Sequence, residues 1–105
     1  MVLKLFDSEE SAAKAVPLGS TRKIIIKEKD FLLIHTPNGF VISDYLCPHR
    51  NEPLLKSKLN AFDELICPLH EYRFNLKTGS ESSNRCKSLT IYQIALKSDG
   101  LFLEI

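Results

Sequence analysis

Hydrophobic positions in the first half of the chain fall in short runs that resume after brief polar breaks. Val2-Leu3-Lys4-Leu5-Phe6 has the composition of a short strand. Asp7, with Glu10 three residues on, predicts a capping-box start for a brief helix from Ser8 to Val16, which Pro17 and Gly19 end. Arg22 to Lys27 and Phe31 to Thr36, rich in Ile, Leu and Phe, are strand candidates with a turn expected at Lys29-Asp30. Pro37-Asn38-Gly39 is a stronger signal, because Asn-Gly tolerates the positive φ angles of a tight hairpin, and Phe40-Val41-Ile42 resumes the strand pattern. The two runs flanking it are expected to pair antiparallel.

After Asp44 the pattern lapses. Pro48 and Pro53 lie close together, and the polar stretch from Lys56 to Asn60 has little periodicity, so an inserted loop region is expected here. Leu65-Ile66, Tyr72 to Leu76, Ser88 to Leu96 and Leu101 to Ile105 read as further short strands, with turns at Thr78-Gly79 and Ser98-Asp99-Gly100. Short strands so regularly punctuated predict an all-β fold, a small antiparallel β sandwich or barrel. A chain of 105 residues without repeats or a linker is expected to form one domain, 1–105.

Charge narrows the partners. With 14 Lys+Arg against 13 Asp+Glu the net charge is +1, and both signs are interleaved, so neither nucleic acid nor an anionic membrane surface is an expected partner. The apolar runs are too short to span a bilayer, and the N-terminal residues lack a basic segment followed by an apolar one. A soluble, cytoplasmic protein is expected.

Three cysteines cannot make a complete disulfide framework. Two of them lie in matched settings: Cys47-Pro48-His49, then seventeen residues, then Cys67-Pro68-Leu69-His70. Each pair follows an apolar segment, Tyr45-Leu46 or Leu65-Ile66, and each cysteine precedes a proline, which fixes φ and withholds a backbone donor. Taken singly, any of these four side chains is as readily a small buried apolar residue or a satisfied histidine. As a set they point to metal binding, since thiolate sulfur and neutral imidazole both ligate iron and zinc, and the short gaps let each loop's two side chains converge.

The pattern Cys-x-His, seventeen residues, Cys-x-x-His resembles the cluster-binding motif of Rieske iron-sulfur proteins. The likeness runs through Cys47-Pro48-His49-Arg50 and Cys67-Pro68-Leu69-His70-Glu71-Tyr72-Arg73-Phe74 to Thr78-Gly79, and the remaining strands suit the family's β architecture. The resemblance implies a Rieske-like fold with an inserted cluster-binding subdomain at about 45–75 and one [2Fe-2S] cluster per chain. Cys47 and Cys67 would bind one iron, and His49 and His70 the other. Two ferric ions, two sulfides and two thiolates sum to zero charge, against minus two for four thiolates, so an added electron is repelled less. The imidazole N–H protons would be held more tightly after reduction, and the midpoint potential is expected to fall at alkaline pH.

Respiratory-type members carry an extra cysteine in each cluster loop, and a serine and tyrosine two and four residues after the last histidine. Here those last positions hold Tyr72 and Phe74, and the extra cysteines are absent. With fewer donors to the sulfurs, the potential is expected toward the low end of the Rieske range, about −150 mV. This is the pattern of soluble ferredoxins that feed oxygenases. Many such members have glycine where Asn51 and Glu71 stand, and Glu71 is expected to lower the potential slightly. Residues Ser82 to Ser88 lack the proline common in the family's covering loop, and a looser loop is expected.

Of the remaining residues, Cys86 reads as a small buried apolar side chain and His35 as structural. Leu54 is expected to shield the centre, whereas Leu55 and Tyr72 suit either shielding or an exposed apolar rim. Lys56, Lys58 and Arg50 make a modest basic patch, either a solvated loop or a steering surface for an acidic partner. The resemblance implies a one-electron carrier between a flavin reductase and an oxygenase or other terminal acceptor, binding no small-molecule substrate and not an enzyme by itself. Two alternatives stand beside it: the small subunit of a nitrite-reductase-like enzyme complex, and a structural Cys2His2 zinc module.

Overall fold

The computed structural model describes residues 2–48 and 51–104, so His49 and Arg50 lie outside the described residues. The elements run β1 (Val2–Phe6), α1 (Glu9–Ala15), β2 (Thr21–Ile26), β3 (Lys29–Thr36), β4 (Gly39–Asp44), β5 (Lys58–Leu59), β6 (Glu64–Ile66), β7 (Arg73–Asn75), β8 (Ile91–Lys97) and β9 (Gly100–Glu104). They form a six-stranded antiparallel sheet in the order β1-β9-β8-β4-β3-β2 and a three-stranded sheet β5-β6-β7. The all-β antiparallel expectation holds, and the sheet curls into a half-barrel.

The connection from β4 to β8 shapes the molecule. These strands are neighbours, paired at Ile42 with Tyr92 and Ser43 with Ile91. The Asp44 N–H donates to the Thr90 carbonyl at 3.0 Å, so residues 45–90 leave and re-enter the large sheet at one point. The described residues of that excursion, including the second sheet, form a lobe seated on the sheet's face. Strand β3 explains how the two parts share one interior. Successive strand residues point to opposite faces, yet Phe31, Leu32, Leu33 and Ile34 are all buried. Phe31 and Leu33 pack with Ala12, Val16, Phe40, Ile42, Leu101 and Leu103 on the helix side. Leu32 and Ile34 pack with Leu54, Leu65, Phe74, Leu76 and Leu89 of the lobe, together with Cys47 and Cys67. The unbroken apolar run is thus a strand covered on both faces.

Several local expectations shift. The helix cap is Ser8 rather than Asp7: its hydroxyl accepts from Ser11 N–H at 3.0 Å while the Ser11 hydroxyl serves the Ser8 N–H. Asp7 pairs with Lys4 instead, at 3.2 Å. The β2–β3 turn falls on Lys27 and Glu28, both with positive φ (50° and 67°), and not on Lys29-Asp30. This register sets Ile24 directly opposite Phe31, a cross-strand apolar pair. It also brings the Lys29 ammonium to the Tyr92 hydroxyl at 3.0 Å. In the next hairpin Gly39 belongs to β4, paired with Thr36, and Pro37-Asn38 form the loop. Strand β5 arises within the stretch that lacked periodicity.

His35 is structural, as expected. Its ring stacks on Phe40 with centroids 4.1 Å apart, and Nδ1 lies 2.8 Å from the Val16 carbonyl at the end of α1.

Candidate metal centre

The two Cys-Pro loops are built alike. In each, the cysteine N–H donates to the carbonyl five residues on: Cys47 to Glu52 and Cys67 to Tyr72, both at 2.8 Å. Each loop closes on a paired stem. The first has a bridge between Leu46 and Pro53 and a Leu54 N–H to Tyr45 carbonyl bond of 2.9 Å. The second has the Ile66–Arg73 pair that joins β6 to β7. The residue four past each cysteine has a left-handed backbone, Asn51 at φ 56° and Glu71 at φ 54°, and His70 beside Glu71 is at φ 62°. These are the two positions where the family resemblance placed glycine, and the reason is now geometric: the chain must reverse within five residues.

The loops bring the two sulfurs together. Cys47 and Cys67 are fully buried free thiols that belong to one cluster of packed core side chains. Burial pushes the Cys67 thiol up to about 11, with the neighbouring Cys47 acting in the same direction, while the Leu69 N–H directed at the sulfur opposes it. A metal ion that binds both sulfurs as thiolates displaces their protons. His70 is exposed at the outer side of its loop. Among the described residues no three His, Cys, Asp or Glu side chains converge on one point. The structure therefore brings together Cys47 and Cys67 and keeps His70 further out, while His49 falls outside the described residues. Buried sulfurs with the His70 imidazole at the surface suit a two-metal group with sulfur ligands on one side and imidazole on the other.

The surroundings exclude water on the inner side. Leu54 is fully buried against the cysteines, in keeping with the shielding expected of it, and Tyr72 and Leu69 are half-buried on the same cluster. Leu55 (37% exposed) and Leu46 (43%) face solvent, which resolves Leu55 as part of a rim. Lys56 and Lys58 line a shallow cavity of about 380 Å³ with Ile66, Cys67, Pro68 and Glu71, so lysine and carboxylate are mixed there.

The segment after β7 is tied down, contrary to the looser loop expected. Glu81 is 2% exposed, and its carboxylate accepts from the backbone N–H groups of Ser83 and Arg85, both at 3.0 Å, and of Arg73 at 3.3 Å. No motif marks Glu81; the only sequence signal is an acidic residue four before an arginine in an otherwise polar loop. The Arg85 guanidinium, followed by these N–H donors, holds the Glu81 carboxyl far below the ordinary carboxylate range despite its burial. A lowered folded-state value stabilises above the unfolded value and loses that contribution as pH falls through the folded one. The stability difference between wild type and Glu81→Gln is therefore expected to persist through pH 5 and to shrink only in stronger acid, as read from urea midpoints across pH.

Strain at Glu71 gives a second expectation. Glu71→Gly relieves a left-handed non-glycine residue and should stabilise by about 0.5–1 kcal/mol. Glu71→Gln keeps the strain and should stabilise little. In metal-loaded protein both should raise the midpoint potential by removing a negative charge beside His70, which voltammetry would measure.

A family model described as the Rieske [2Fe-2S] domain matches residues 8–93. No curated protein matches the chain by sequence. Among solved structures, the ferredoxin of carbazole 1,9a-dioxygenase from Nocardioides aromaticivorans IC177 is 16% identical with a TM-score of 0.78, over 96% of each chain. A chain from the complex of reduced oxygenase and oxidized ferredoxin in carbazole 1,9a-dioxygenase is 21% identical with a TM-score of 0.77, over 97% of this chain and 91% of that one. A Mycobacterium tuberculosis chain described as an NADH-dependent nitrite reductase small subunit is 11% identical with a TM-score of 0.80, over 98% and 93%. At these identities the structural matches establish a shared fold. Among the described residues no helix is long and apolar enough to cross a membrane.

Proposed function

Because the chain belongs to the family of Rieske [2Fe-2S] domains, whose cofactor is that cluster, we propose that it is a one-electron carrier with Cys47, His49, Cys67 and His70 as the ligands. The observation that carries this reading is the meeting of two buried thiols from two identically closed loops inside a domain of that family. Cys47 and Cys67 would hold one iron through sulfur, and His49 and His70 the other through imidazole nitrogen. When bound, the cluster supplies a centre that takes up and releases a single electron. The chain's own contribution is placement: Leu54 and Tyr72 keep water from the sulfur side, and the proline-braced loops keep the ligands in place in both charge states.

The fold shared with a ferredoxin–oxygenase complex supports redox proteins as partners, with a flavin reductase as donor and an oxygenase or other terminal acceptor as recipient. Leu46 and Leu55 give a partner an apolar rim near the exposed histidine side. The domain spans 1–105 with the cluster-binding subdomain at about 45–75, and the protein acts in the cytoplasm. Protein purified without added metal is expected to be brown, with equal iron and acid-labile sulfide, two of each per chain, and an EPR signal on reduction. A colourless protein with stoichiometric zinc overturns the reading in favour of a structural zinc module. The likeness to a nitrite reductase small subunit supports a second assignment, and co-purification with a large sirohaem-bearing chain would select it.

A further inference from the structure

Arg85 uses both aspects of its guanidinium at once. Its Nε donates to Glu81 Oε1 at 3.1 Å and its Nη2 to Glu81 Oε2 at 2.8 Å, a two-pronged grip on a buried carboxylate. Its flat face lies over the Tyr72 ring, 3.9 Å from the centroid. Tyr72 in turn supplies the carbonyl that closes the Cys67 loop. The next residue, Cys86, is half-buried against the cluster of side chains that contains Cys47 and Cys67. Three other bonds fasten the loop's ends: Ser82 N–H to the Arg73 carbonyl at 2.9 Å, Asn84 N–H to the Glu81 carbonyl at 3.0 Å and Leu89 N–H to the Gly79 carbonyl at 2.8 Å.

We propose that Glu81 and Arg85 form a clasp that holds residues 81–88 closed over the sulfur side of the centre, with Arg85 pinning Tyr72 and the loop seating Cys86 near Cys67. Both are positioning residues, since they act on the centre only through Tyr72 and the loop. What the clasp protects rests on the proposed ligand assignment, but its geometry belongs to described residues alone. A covered carboxylate is costly unless fully hydrogen-bonded, so once Glu81 is buried its partners are obligatory. Lysine cannot replace Arg85, because it has neither the fork that spans both oxygens nor the plane that stacks on the ring. Opening the loop would uncover Cys86 and admit water to Cys67.

The test uses the protein as purified and compares Arg85→Lys, Arg85→Leu and Glu81→Gln with wild type. Alkylation of Cys86 by iodoacetamide is followed at the peptide level, alongside loss of visible absorption to an iron chelator and global stability in urea. Arg85→Lys preserves charge and is the variant that keeps the test sound if Glu81→Gln folds poorly. Cys86 alkylation is expected to accelerate roughly tenfold or more in Arg85→Lys, well beyond what the change in global stability allows, with faster bleaching in parallel. Wild-type rates in both arginine variants overturn the clasp, and so does an acceleration no larger than the loss of global stability predicts. A colourless protein whose Cys86 is still protected by Arg85 overturns the cluster assignment and leaves the clasp standing.

Discussion

Gly79→Ala is expected to cost about 3 kcal/mol or more, enough to leave little folded protein if the domain has ordinary stability. Gly79 has φ 82°, and a Cβ there would lie 1.9 Å from the Leu89 carbonyl oxygen and 3.0 Å from its carbon. Both atoms are backbone, so no side-chain rotation relieves the clash. The two segments are also tied by the Leu89 N–H to Gly79 carbonyl bond, and Gly79 N–H donates to the Asn75 carbonyl at 2.7 Å. Separating them would open the turn after β7 and loosen the whole 81–88 loop. Gly19 supplies the control: its φ is 84°, yet a Cβ there meets nothing within 4 Å. Gly19→Ala should carry only the conformational penalty, about 1–2 kcal/mol. Urea unfolding of the two variants separates crowding from strain, and equal losses would refute the close-approach argument.

Cys47→Ala and Cys67→Ala are each expected to abolish the visible absorption and iron content, whereas Cys86→Ala should retain both. Each of the first two removes one of two buried sulfurs of the same core cluster, and under the proposed assignment would leave one iron with a single protein ligand. Cys86 packs on the same cluster of side chains, and its thiol donates to the Lys87 carbonyl at 3.4 Å. Iron and sulfide assays on the three variants decide the matter; iron retained by Cys67→Ala, or lost from Cys86→Ala, would overturn the two-plus-one division of the thiols. Circular dichroism on the same samples distinguishes loss of metal from loss of fold, because trading a buried thiol for a methyl costs only about 1 kcal/mol of packing.

The strands were legible where one residue type or one period dominated. Phe31 to Ile34 could be read as a strand, but not as one covered on both faces, since only the return of residues 45–90 onto the sheet supplies the second cover. Turn positions were less legible. Lys27 and Glu28 are not residues that favour positive φ, and they take it because the register must set Ile24 opposite Phe31 and carry Lys29 to Tyr92. A two-residue strand such as β5 leaves no periodicity to detect, as its only support is the pairing of Lys58 with Ile66 and Leu59 with Leu65.

At the centre, the proposed ligand set was read from residue types and spacings, because metal chemistry demands particular atoms and short loops to present them. The spacing of Cys47, His49, Cys67 and His70 thus carried the family, whereas the left-handed backbone at Asn51 and Glu71 came from the structure, at the two positions where similar proteins have glycine. The covering loop is different in kind. Glu81, Arg85 and Tyr72 are ordinary polar residues in the chain, and their roles come from which groups folding strips of water. A carboxylate at the surface needs no partner, but once buried it requires several. That depends on the packing of β7, Gly79 and Leu89 around Glu81, long-range contacts that no local pattern encodes.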